Sequence, residues 1–330
     1  MKKILITGGA GFIGSHLVEL LIKNGYRVAV IDDLSGGLTD NVHPKASFYK
    51  IDIRKAAQVE KVFATFKPEV VYHLAANAAE SKAQFSPMDI TSRNYDGAIK
   101  VLTAAIRHGL KRFIFTSSIA VYGQLQTPFK ETDKPEPEDI YGVTKLAFED
   151  SLKILSQVHG FEYVITRPHN VYGPRQNMRD PYRNVVTIFM NALLQDKPFY
   201  IYGQGDQVRC FSYVTDVVEA LAKCLSAPVA GMTFNVGSDH AYTVNELAEA
   251  ILRVTGSSLE PIYLPQRPRE VITAISDHQL SKQHLQYQDR TDLETGLRAT
   301  WQWAKKQGYQ PPRYTKIEIE SPLLPQNWRR

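Results

Sequence analysis

The first 33 residues place a cluster of glycines between an apolar run and a helical pattern. The run over 2–7 is apolar and β-branched beyond its lysines, which is typical of a strand buried on both faces of a parallel sheet. Four glycines follow between positions 8 and 14, and apolar residues then recur at helical spacing over 12–21. A second apolar strand over 27–31 leads into Asp32. This order predicts a strand–turn–helix–strand unit, which strongly limits the folds that the chain can adopt.

Each part of this unit suits a bound dinucleotide. Glycines permit a tight turn and let backbone N–H groups approach a pyrophosphate that a Cβ would keep away. The helix that begins there directs its positive end at the phosphates. Asp32 can accept hydrogen bonds from ribose hydroxyls and would repel a 2′-phosphate, which favours NAD over NADP. The alternative, a glycine-rich turn of another α/β protein, is disfavoured by the order of the elements. The predicted cofactor-binding residues in this unit are Gly8, Gly11, Phe12, Ile13, Gly14, Asp32 and Asp33.

Two later strand ends extend the predicted cofactor site. A short strand over 48–51 ends at Asp52. The Asp52 carboxylate either accepts from an adenine amino group or caps the helix that begins near Lys55, and both readings stay open. The next strand, over 70–74, is followed by small residues that let a cofactor pass close by. The predicted cofactor-binding residues here are Asp52, Ile53, Leu74, Ala75 and Ala76.

Strands and helices alternate up to residue 167. Helices are predicted over 89–108 and 141–159, and strands over 112–117 and 163–167. Strands that alternate with helices at this spacing imply right-handed βαβ crossovers. We therefore predict an α/β fold, a Rossmann-type doubly wound parallel sheet with helices on both faces.

The alternation fades in the second half of the chain, after a loop over 168–184 that is rich in Pro, Asn and Arg. We predict a Rossmann domain over 1–168, with segments around 209–236 returning to it, and a smaller α+β substrate-binding lobe over 169–330. A proline-containing tail from about residue 310 is expected to be extended or mobile. The other predicted helices span 185–194, 215–225, 244–254 and 293–306, and the other strands span 199–202, 209–213 and 234–236.

The composition disfavours several classes of function. A formal charge of +5 arises from 39 basic and 34 acidic residues without a Lys/Arg block, so nucleic acid is not an expected partner. No apolar run approaches the roughly 18 residues that span a bilayer, and Met1 leads straight into the first strand, so we expect neither a membrane span nor a signal peptide. Cys210 and Cys224 form no CxxC pair and are interpreted as buried side chains of a cytoplasmic protein. The histidines follow no metal-site spacing, so no bound metal is predicted.

Ser118, Tyr141 and Lys145 form the predicted catalytic group. Tyr141 and Lys145 are four residues apart on one helix, so both side chains emerge on the same face. A lysine ammonium and the positive charge of an oxidised nicotinamide would lower the pKa of the tyrosine from about 10, as a general base requires. Ser118 follows the preceding strand and can hydrogen-bond the same substrate hydroxyl. The alternative is a surface Tyr–Lys pair that supports the helix, which the upstream cofactor motif disfavours.

The chain resembles the extended short-chain dehydrogenase/reductases, in particular the NAD-dependent nucleotide-sugar epimerase/dehydratase group. The resemblance runs from Lys3 to about Asp277 and is closest to UDP-sugar 4-epimerases. It also places Asn94, in an NxxG element, near the cofactor, whereas a helix residue could instead face solvent. The motifs that carry the resemblance are TGGAGFIGSH (7–16), HLAA (73–76), TSSIAVYG (116–123), YGVTK (141–145), RPHNVYGPR (167–175) and the stretch over 209–216.

The two residues after Ser118 distinguish the reactions of the resembling group. Its 4,6-dehydratases carry an Asp-Glu pair there, and the decarboxylases that make UDP-xylose carry a Glu at the second position, whereas this chain has Ile119 and Ala120. The resemblance therefore implies 4-epimerisation with retained NAD. In that reaction Tyr141 removes the 4-hydroxyl proton, the C4 hydride moves to NAD, and the 4-keto sugar swings over before the hydride returns. A 4-keto-sugar reductase or a dehydratase is the alternative, and a non-catalytic dinucleotide-sensing protein is disfavoured because the catalytic set is complete.

The resemblance also implies how the second lobe holds a nucleotide diphosphate. Asn170 and Arg209 match residues that contact the diphosphate, and a guanidinium fork suits phosphate. Arg267 with Glu270 matches an element that grips the diphosphate and a ribose hydroxyl. The family usually has glycine where this chain has Arg269, which leaves the shape of that loop open.

The sugar of the expected UDP-sugar substrate stays open, with UDP-glucose/UDP-galactose as the first choice. Ala274 matches a gate position, and its small side chain would leave room for a 2-N-acetyl group, which adds UDP-GlcNAc/UDP-GalNAc. Arg175, Arg179 and Arg183 could face a uronate carboxylate, which adds UDP-glucuronate. The resemblance further implies a homodimer that pairs the two long helices of the first domain with their copies.

Overall fold

The computed structural model describes residues 2–183 and 185–328, and a parallel sheet of seven strands lies at its centre. This sheet has the order β3-β2-β1-β4-β5-β6-β11, so the predicted doubly wound α/β class is confirmed. The strands of the described residues are β1 (Lys3–Thr7), β2 (Arg27–Asp32), β3 (Ser47–Lys50), β4 (Val70–His73), β5 (Arg112–Thr116), β6 (Glu162–Pro168), β7 (Val171–Tyr172), β8 (Tyr200–Tyr202), β9 (Val208–Cys210), β10 (Ser212–Tyr213), β11 (Met232–Val236), β12 (Ala241–Thr243), β13 (Ile262–Leu264) and β14 (Thr273–Ala274).

Helices cover both faces of the large sheet. Apolar residues of α1 and α8 pack on one face, and those of α2, α5 and α6 pack on the other. A separate core joins α7, α9 and α11 in the second half of the chain. The helices are α1 (Phe12–Lys23), α2 (Ala56–Phe66), α3 (Glu80–Ala83), α4 (Pro87–Thr91), α5 (Gly97–Arg107), α6 (Ile140–His159), α7 (Val185–Leu193), α8 (Val214–Lys223), α9 (Val244–Thr255), α10 (Gln279–Leu285) and α11 (Leu293–Gln307).

The second half holds three small sheets, and here the sequence prediction was partly wrong. The strand predicted over 209–213 is two strands, because β9 pairs with β12 and β14 whereas β10 pairs with β7. Strands β7, β12, β13 and β14 were not predicted, nor were helices α3 and α10. Each of those strands has only two or three residues, which is too short to show an alternating pattern. The helix predicted over 89–108 is α4 and α5, joined by a π-helical turn over Ser92–Asp96.

The segment predicted to return to the first domain contributes to the large sheet. Strand β11 is the edge strand beside β6, and α8 packs against α1. Cys210 and Cys224 are buried free thiols. The domain boundary at residue 168 stays a prediction, and Asn184, the last residue of the predicted loop, lies outside the described residues.

A buried ion pair fixes α6 against the sheet. The Arg167 guanidinium at the end of β6 donates to both carboxylate oxygens of Glu149 on α6, at 2.9 and 2.6 Å. Its third nitrogen donates to the Tyr122 hydroxyl at 2.7 Å, and that hydroxyl donates to Asn235 of β11 at 2.8 Å. Both charged side chains are almost fully buried, at 3% and 0% exposed. A buried pair of this kind is sustained by complete hydrogen bonding.

We expect Glu149→Ala to lower the free energy of unfolding by about 3–5 kcal/mol, because it leaves the Arg167 charge buried without a counter-ion. The double variant Glu149→Leu/Arg167→Met should cost less than the single one. Urea unfolding with saturating NAD measures both values. Lys100→Met removes an exposed pair with Asp96 and should cost less than about 1 kcal/mol. Equal costs for the Glu149 and Lys100 variants would contradict the argument.

Candidate active site

A cavity of about 500 Å³ lies at the carboxyl ends of the central strands. Ligand sites of open α/β sheets form at this edge. Its lining includes every predicted catalytic and substrate-binding residue and every predicted cofactor-binding residue except Asn94. The predicted residues that line it are Gly8, Gly11, Phe12, Ile13, Gly14, Asp32, Asp33, Asp52, Ile53, Leu74, Ala75, Ala76, Ser118, Tyr141, Lys145, Asn170, Arg209, Arg267 and Glu270.

The glycine turn after β1 forms a cradle that side chains would fill. Gly8 has a φ of +73°, and a Cβ on it would lie 2.7 Å from the backbone N of Ala75. A Cβ on Gly14 would lie 2.2 Å from the carbonyl oxygen of Gly8. Helix α1 begins at Phe12, so its first N–H groups are at the cavity wall. A narrow cradle at a helix N-terminus fits the pyrophosphate of a dinucleotide.

Asp32 is held in place at the end of β2 by two backbone amides. Its carboxylate accepts from the N–H of Ala10 at 3.0 Å and of Leu34 at 2.9 Å. Burial raises the pKa of this carboxyl, although the two amides oppose the shift. Asp33 lines the same region and pairs with Arg93 at 3.1 Å. These carboxylates therefore suit ribose hydroxyls, which donate hydrogen bonds and carry no charge.

The structure excludes one of the two interpretations of Asp52. Lys55 occupies the N-cap position of helix α2, so the interpretation of Asp52 as the helix cap is wrong. The Asp52 carboxylate instead accepts from Arg54, with the closest contact at 2.6 Å, and lines the cavity. The Arg54 hydrogen bonds lower the pKa of this carboxyl. A role in binding adenine stays a prediction.

Asn94 lies behind the cavity wall, not on it. Its side chain accepts from the N–H of Asn77 at 2.7 Å and donates to the carbonyl oxygen of the same residue at 3.0 Å. It is 2% exposed and lies in the π-helical turn. The Asn94 side chain holds the loop after β4 through these hydrogen bonds, and its place near the cofactor stays a prediction.

Ser118, Tyr141 and Lys145 converge at the cavity. Ser118 and Tyr141 both line the cavity, and interaction with the Ser118 side chain opposes the rise in the pKa of Tyr141. The Lys145 ammonium lies 5.8 Å from the centre of the Tyr141 ring and donates to the carbonyl oxygen of Thr116 at 2.8 Å. Both α6 side chains are buried, at 7% and 3% exposed. The alternative interpretation, an exposed Tyr–Lys pair on a helix surface, is therefore wrong.

Burial controls the protonation of the two α6 groups. It raises the pKa of Tyr141 well above its ordinary value, with the Ser118 hydrogen bond opposing the shift. It also lowers the pKa of Lys145 to about 7. Each effect disfavours a charged group in a poorly solvated position. The lowered tyrosine pKa that the sequence suggested is thus not produced by the groups of the protein itself.

Two carboxyls beside Tyr141 were missed by the sequence argument. Asp139 caps α6, accepting from the N–H of Gly142 at 2.7 Å, and Glu80 of α3 lies close enough for its charge to act on this carboxyl. Burial, with the Glu80 charge next, raises the pKa of Asp139 to about 8. Both residues line the cavity. Asp139 had a local signal as a helix cap before Tyr141, whereas Glu80 had none, because the fold alone brings it there.

The arginines of the predicted diphosphate site are already engaged with protein groups. The Arg209 guanidinium donates to the carbonyl oxygens of Val208 and Ile272, at 2.9 Å each. Arg267 and Glu270 form an ion pair with each other, and the Arg267 guanidinium stacks 4.7 Å from the centre of the Tyr202 ring. The bidentate fork predicted for Arg209 is thus partly occupied by backbone.

Arg269 keeps the backbone shape that the sequence argument left open. Its φ is +57°, the left-handed region in which glycine is favoured. Its side chain forms an ion pair with Glu138 and is 64% exposed. The loop before Glu270 therefore has a glycine-like conformation without a glycine.

Not all of the residues proposed to select the sugar line the cavity. Arg183 lines it, whereas Arg175 pairs with Glu19 at 2.6 Å and Arg179 donates to Gln310 at 2.9 Å. Ala274 is buried in a cluster with Val121, Tyr122 and Phe129 and is not a lining residue. The role of Ala274 as a permissive gate stays a prediction.

The sequence also led to predictions about bound metals and membrane spans. Within residues 2–183 and 185–328, no group of three or more His, Cys, Asp or Glu side chains is arranged to hold a metal ion. Across the same ranges no helix combines the length and the apolar character that crossing a membrane requires.

Comparison with known proteins gives consistent matches over most of the chain. Residues 4–237 match the model of the NAD dependent epimerase/dehydratase family. A putative UDP-glucose 4-epimerase of Methanocaldococcus jannaschii is 35% identical over 305 residues, covering 92% of this chain and 98% of its own. A UDP-N-acetyl-alpha-D-glucosaminuronate decarboxylase of Bacillus cytotoxicus is 32% identical over 327 residues, with coverages of 92% and 98%. The crystal structure of UDP-glucose 4-epimerase from Thermotoga maritima with UDP-glucose has a TM-score of 0.88 at 37% identity and covers 92% of this chain and 99% of its own.

The strain at Arg269 can be measured by substitution. A non-glycine residue in the left-handed region costs about 1–2 kcal/mol, and an exposed ion pair contributes less than about 1 kcal/mol. We therefore expect Arg269→Gly to raise the free energy of unfolding relative to Arg269→Ala by about 1 kcal/mol, and Arg269→Val to lower it further. Urea unfolding of the three variants gives the order, and equal values for the Gly and Ala variants would contradict the strain.

Proposed function

The chain belongs to the NAD-dependent epimerase/dehydratase family and uses NAD as its cofactor, and we propose that it inverts C4 of a UDP-sugar while the NAD stays bound. The observation that carries this proposal is the convergence of Ser118, Tyr141 and Lys145 at one cavity. Ile119 and Ala120, which follow Ser118, supply no acid or base beside that group. Proton transfer by the tyrosine together with reversible hydride transfer is sufficient for epimerisation.

Tyr141 takes the proton of the sugar 4-hydroxyl in the forward step and returns one after the 4-keto sugar has turned over. In this proposal Ser118, which lines the cavity together with Tyr141, hydrogen-bonds the same sugar hydroxyl. NAD, when bound, accepts the C4 hydride and returns it to the other face of the sugar. Because burial disfavours the phenolate, the proposal requires cations beside it, and the Lys145 ammonium together with the oxidised nicotinamide supplies them.

We infer the substrate class from a set of polar residues in the cavity lining. These residues are Asn170, Arg209, Arg267 and Glu270, and the guanidinium groups among them suit a nucleoside diphosphate. UDP-glucose/UDP-galactose is the first choice of substrate, as in the relatives that are UDP-glucose 4-epimerases. UDP-GlcNAc/UDP-GalNAc and UDP-glucuronate are further choices. Arg183 is the cavity residue that would face a uronate carboxylate.

A second candidate reaction is the loss of water from the sugar. It is favoured by Asp139 at the start of α6, because burial and the Glu80 charge raise the pKa of this carboxyl to about 8. A 4-epimerase does not need this acid, whereas a dehydratase needs an acid to protonate the leaving hydroxyl. The two reactions differ by the mass of one water in the product.

Purified protein without added cofactor should convert a UDP-sugar to a product of unchanged mass with inverted C4. UDP-glucose, UDP-GlcNAc and UDP-glucuronate are incubated separately, and the products are resolved by chromatography, mass spectrometry and NMR. A product lighter by water would contradict epimerisation and select the second candidate. A requirement for stoichiometric NAD would contradict its retention.

Tyr141→Phe should lower kcat by about 10²–10⁴-fold, the usual contribution of a general acid–base group. Because the phenyl ring keeps its packing, bound NAD measured after denaturation should be unchanged. Tyr95→Phe is the matched control, since Tyr95 donates or accepts a hydrogen bond with Ser151 away from the cavity. An equal loss of activity in both variants would contradict a specific role for Tyr141.

A homodimer through α6 is part of this proposal. Val143, Ile154 and Val158 are 46%, 59% and 69% exposed, and their spacing places them within about 60° on one helix face. We expect Ile154→Glu to convert a dimer to a monomer in light scattering after size exclusion. Lys153→Glu changes the neighbouring position and should leave the dimer intact. A wild-type monomer at micromolar concentration would contradict this interface.

A further inference from the structure

Arg93 joins two elements in the wall of the cavity. It lies in the π-helical turn after α4 and lines the cavity together with Asp33 and Ser35, which follow β2. Its Nη1 atom donates to the Asp33 carboxylate and to the Ser35 hydroxyl, at 3.1 Å each. Its Nε atom donates to the carboxylate of Asp89 on α4 at 2.7 Å. Asp33 and Arg93 are 60 positions apart, so the fold alone brings them together.

This contact lies where a Rossmann fold binds the adenosine ribose. An acidic residue at the end of the second strand accepts from the 2′-hydroxyl of NAD, whereas a nearby arginine accommodates the 2′-phosphate in proteins that bind NADP. This chain has both kinds of group at the same place, because Asp32 ends β2 and the Arg93 guanidinium contacts the next residue, Asp33. The cavity therefore carries an arginine suited to NADP, although the family is NAD dependent.

The two carboxylates at the end of β2 are held differently. Asp32 is 7% exposed and its oxygens accept from two backbone amides, so it is built into the turn. The Asp33 side chain is 26% exposed. One of its oxygens accepts from the N–H of Ser35 at 2.8 Å and the other accepts from Arg93. Asp33 is thus the carboxylate of this pair that neutralises the guanidinium.

The ion pairs of Arg93 are accessible to water. The side chains of Arg93, Asp33 and Asp89 are 25%, 26% and 25% exposed, and pairs exposed to this degree contribute little. A phosphate, in contrast, forms charge-assisted hydrogen bonds with an arginine fork, and these are about twice as strong as neutral ones. A 2′-phosphate can therefore compete for the guanidinium. What opposes its entry at this point is the negative charge of Asp33.

Arg54 provides a matched comparison, since it carries the same charge two residues after Asp52. It donates to both oxygens of the Asp52 carboxylate, with the closest contact at 2.6 Å. Its side chain is 31% exposed, similar to that of Arg93, but it is not a lining residue of the cavity. Substitution of Arg54 therefore removes a charge from this region and leaves the contact between Asp33 and Arg93 in place.

We propose that Arg93 is a binding site for the 2′-phosphate of NADP that Asp33 keeps closed. The preference for NAD then depends on the pair of Asp33 and Arg93 as well as on Asp32. With NAD, which has no charge at the 2′ position, Arg93 stays on Asp33 and Asp89. When residue 33 is neutral, the guanidinium keeps Asp89 alone and is able to take the phosphate. This inference concerns the cofactor and goes beyond the proposed sugar reaction.

The test measures which dinucleotide the folded protein holds. Purified protein with its bound cofactor is incubated with isotope-labelled NAD and a large excess of NADP until the bound fraction of labelled NAD is constant. Unbound nucleotides are removed, and the bound ones are quantified by mass spectrometry after denaturation. If labelled NAD does not enter, the dinucleotides that copurify with each variant give the same ratio of NADP to NAD.

Asp33→Asn should raise the ratio of bound NADP to bound NAD about 10–100-fold over wild type, the range expected for a hydrogen bond to a charged group. The double variant Asp33→Asn/Arg93→Met should lose most of this rise, because the receptor for the phosphate is gone. The matched control Asp33→Asn/Arg54→Met should keep it. Arg93→Met alone should not raise the ratio. The total dinucleotide held per chain shows that each variant is folded.

Three results would overturn the proposal. A rise that persists in Asp33→Asn/Arg93→Met means that Asp33 acts by repulsion alone. An equal loss of the rise in the Arg54 and Arg93 double variants assigns the effect to overall charge. No rise in Asp33→Asn, with wild-type dinucleotide content, removes its basis.

Arg93→Gln replaces Arg93→Met if the methionine variant holds no dinucleotide, and failure of both means that Arg93 serves the fold and likewise overturns the proposal. Because the readout is bound dinucleotide, the result does not depend on whether wild type inverts C4 of a UDP-sugar. This proposal and the proposed function therefore fail separately.

Discussion

The paired hydrogen bonds between Arg167 and Glu149 determine how α6 lies on the large sheet. They join the end of β6 to the third turn of the helix that begins one residue before Tyr141. Since both groups are desolvated, rotation or sliding of α6 would separate two buried charges of opposite sign. The position of Tyr141 and Lys145 relative to β5 and β6 therefore depends on a contact that is remote from the cavity. Such a pair contributes to the uniqueness of the arrangement more than to its stability.

The long elements and the cofactor cradle could be predicted from the sequence because their signals are local. Strand β1, the glycines and α1 are consecutive, and the spacing of Tyr141 and Lys145 requires only a helix. The elements and residues that the sequence did not predict depend instead on contacts between distant parts of the chain. Strands β12 and β14 exist because β9 lies between them, and Glu80 approaches Asp139 across 59 positions of the chain (139 minus 80). Trp328 joins a cluster that begins at Ala79. Contacts of this separation leave no period in the sequence, so only the fold shows them.

Asn94 and Arg269 show two different relations between a motif and its structural role. Asn94 matches the motif in identity, and its side chain is hydrogen-bonded to the backbone of Asn77 in the loop after β4. Arg269 departs from the motif in identity, yet its backbone adopts the left-handed conformation that the usual glycine would have. The identity of a side chain therefore does not show which group it contacts, and the absence of a glycine does not exclude a left-handed loop conformation. For Asn94 the informative observation is which hydrogen bonds its side chain already makes, and for Arg269 it is the backbone conformation.

The tail over residues 310–328 also has a consequence for the order in which the parts of the site are made during synthesis. All residues of the cofactor cradle and of the Ser118–Tyr141–Lys145 group precede it by more than 160 positions (310 minus 145). At about 5–20 residues per second, ribosomes need roughly 10–35 s to make the chain from Lys145 to Trp328. Strand β11, the last of the large sheet, appears within that interval. The seven strands of the large sheet are thus made before Asn327 and Trp328, and the part of the cavity wall that these two residues form is among the last parts of the site to be synthesised.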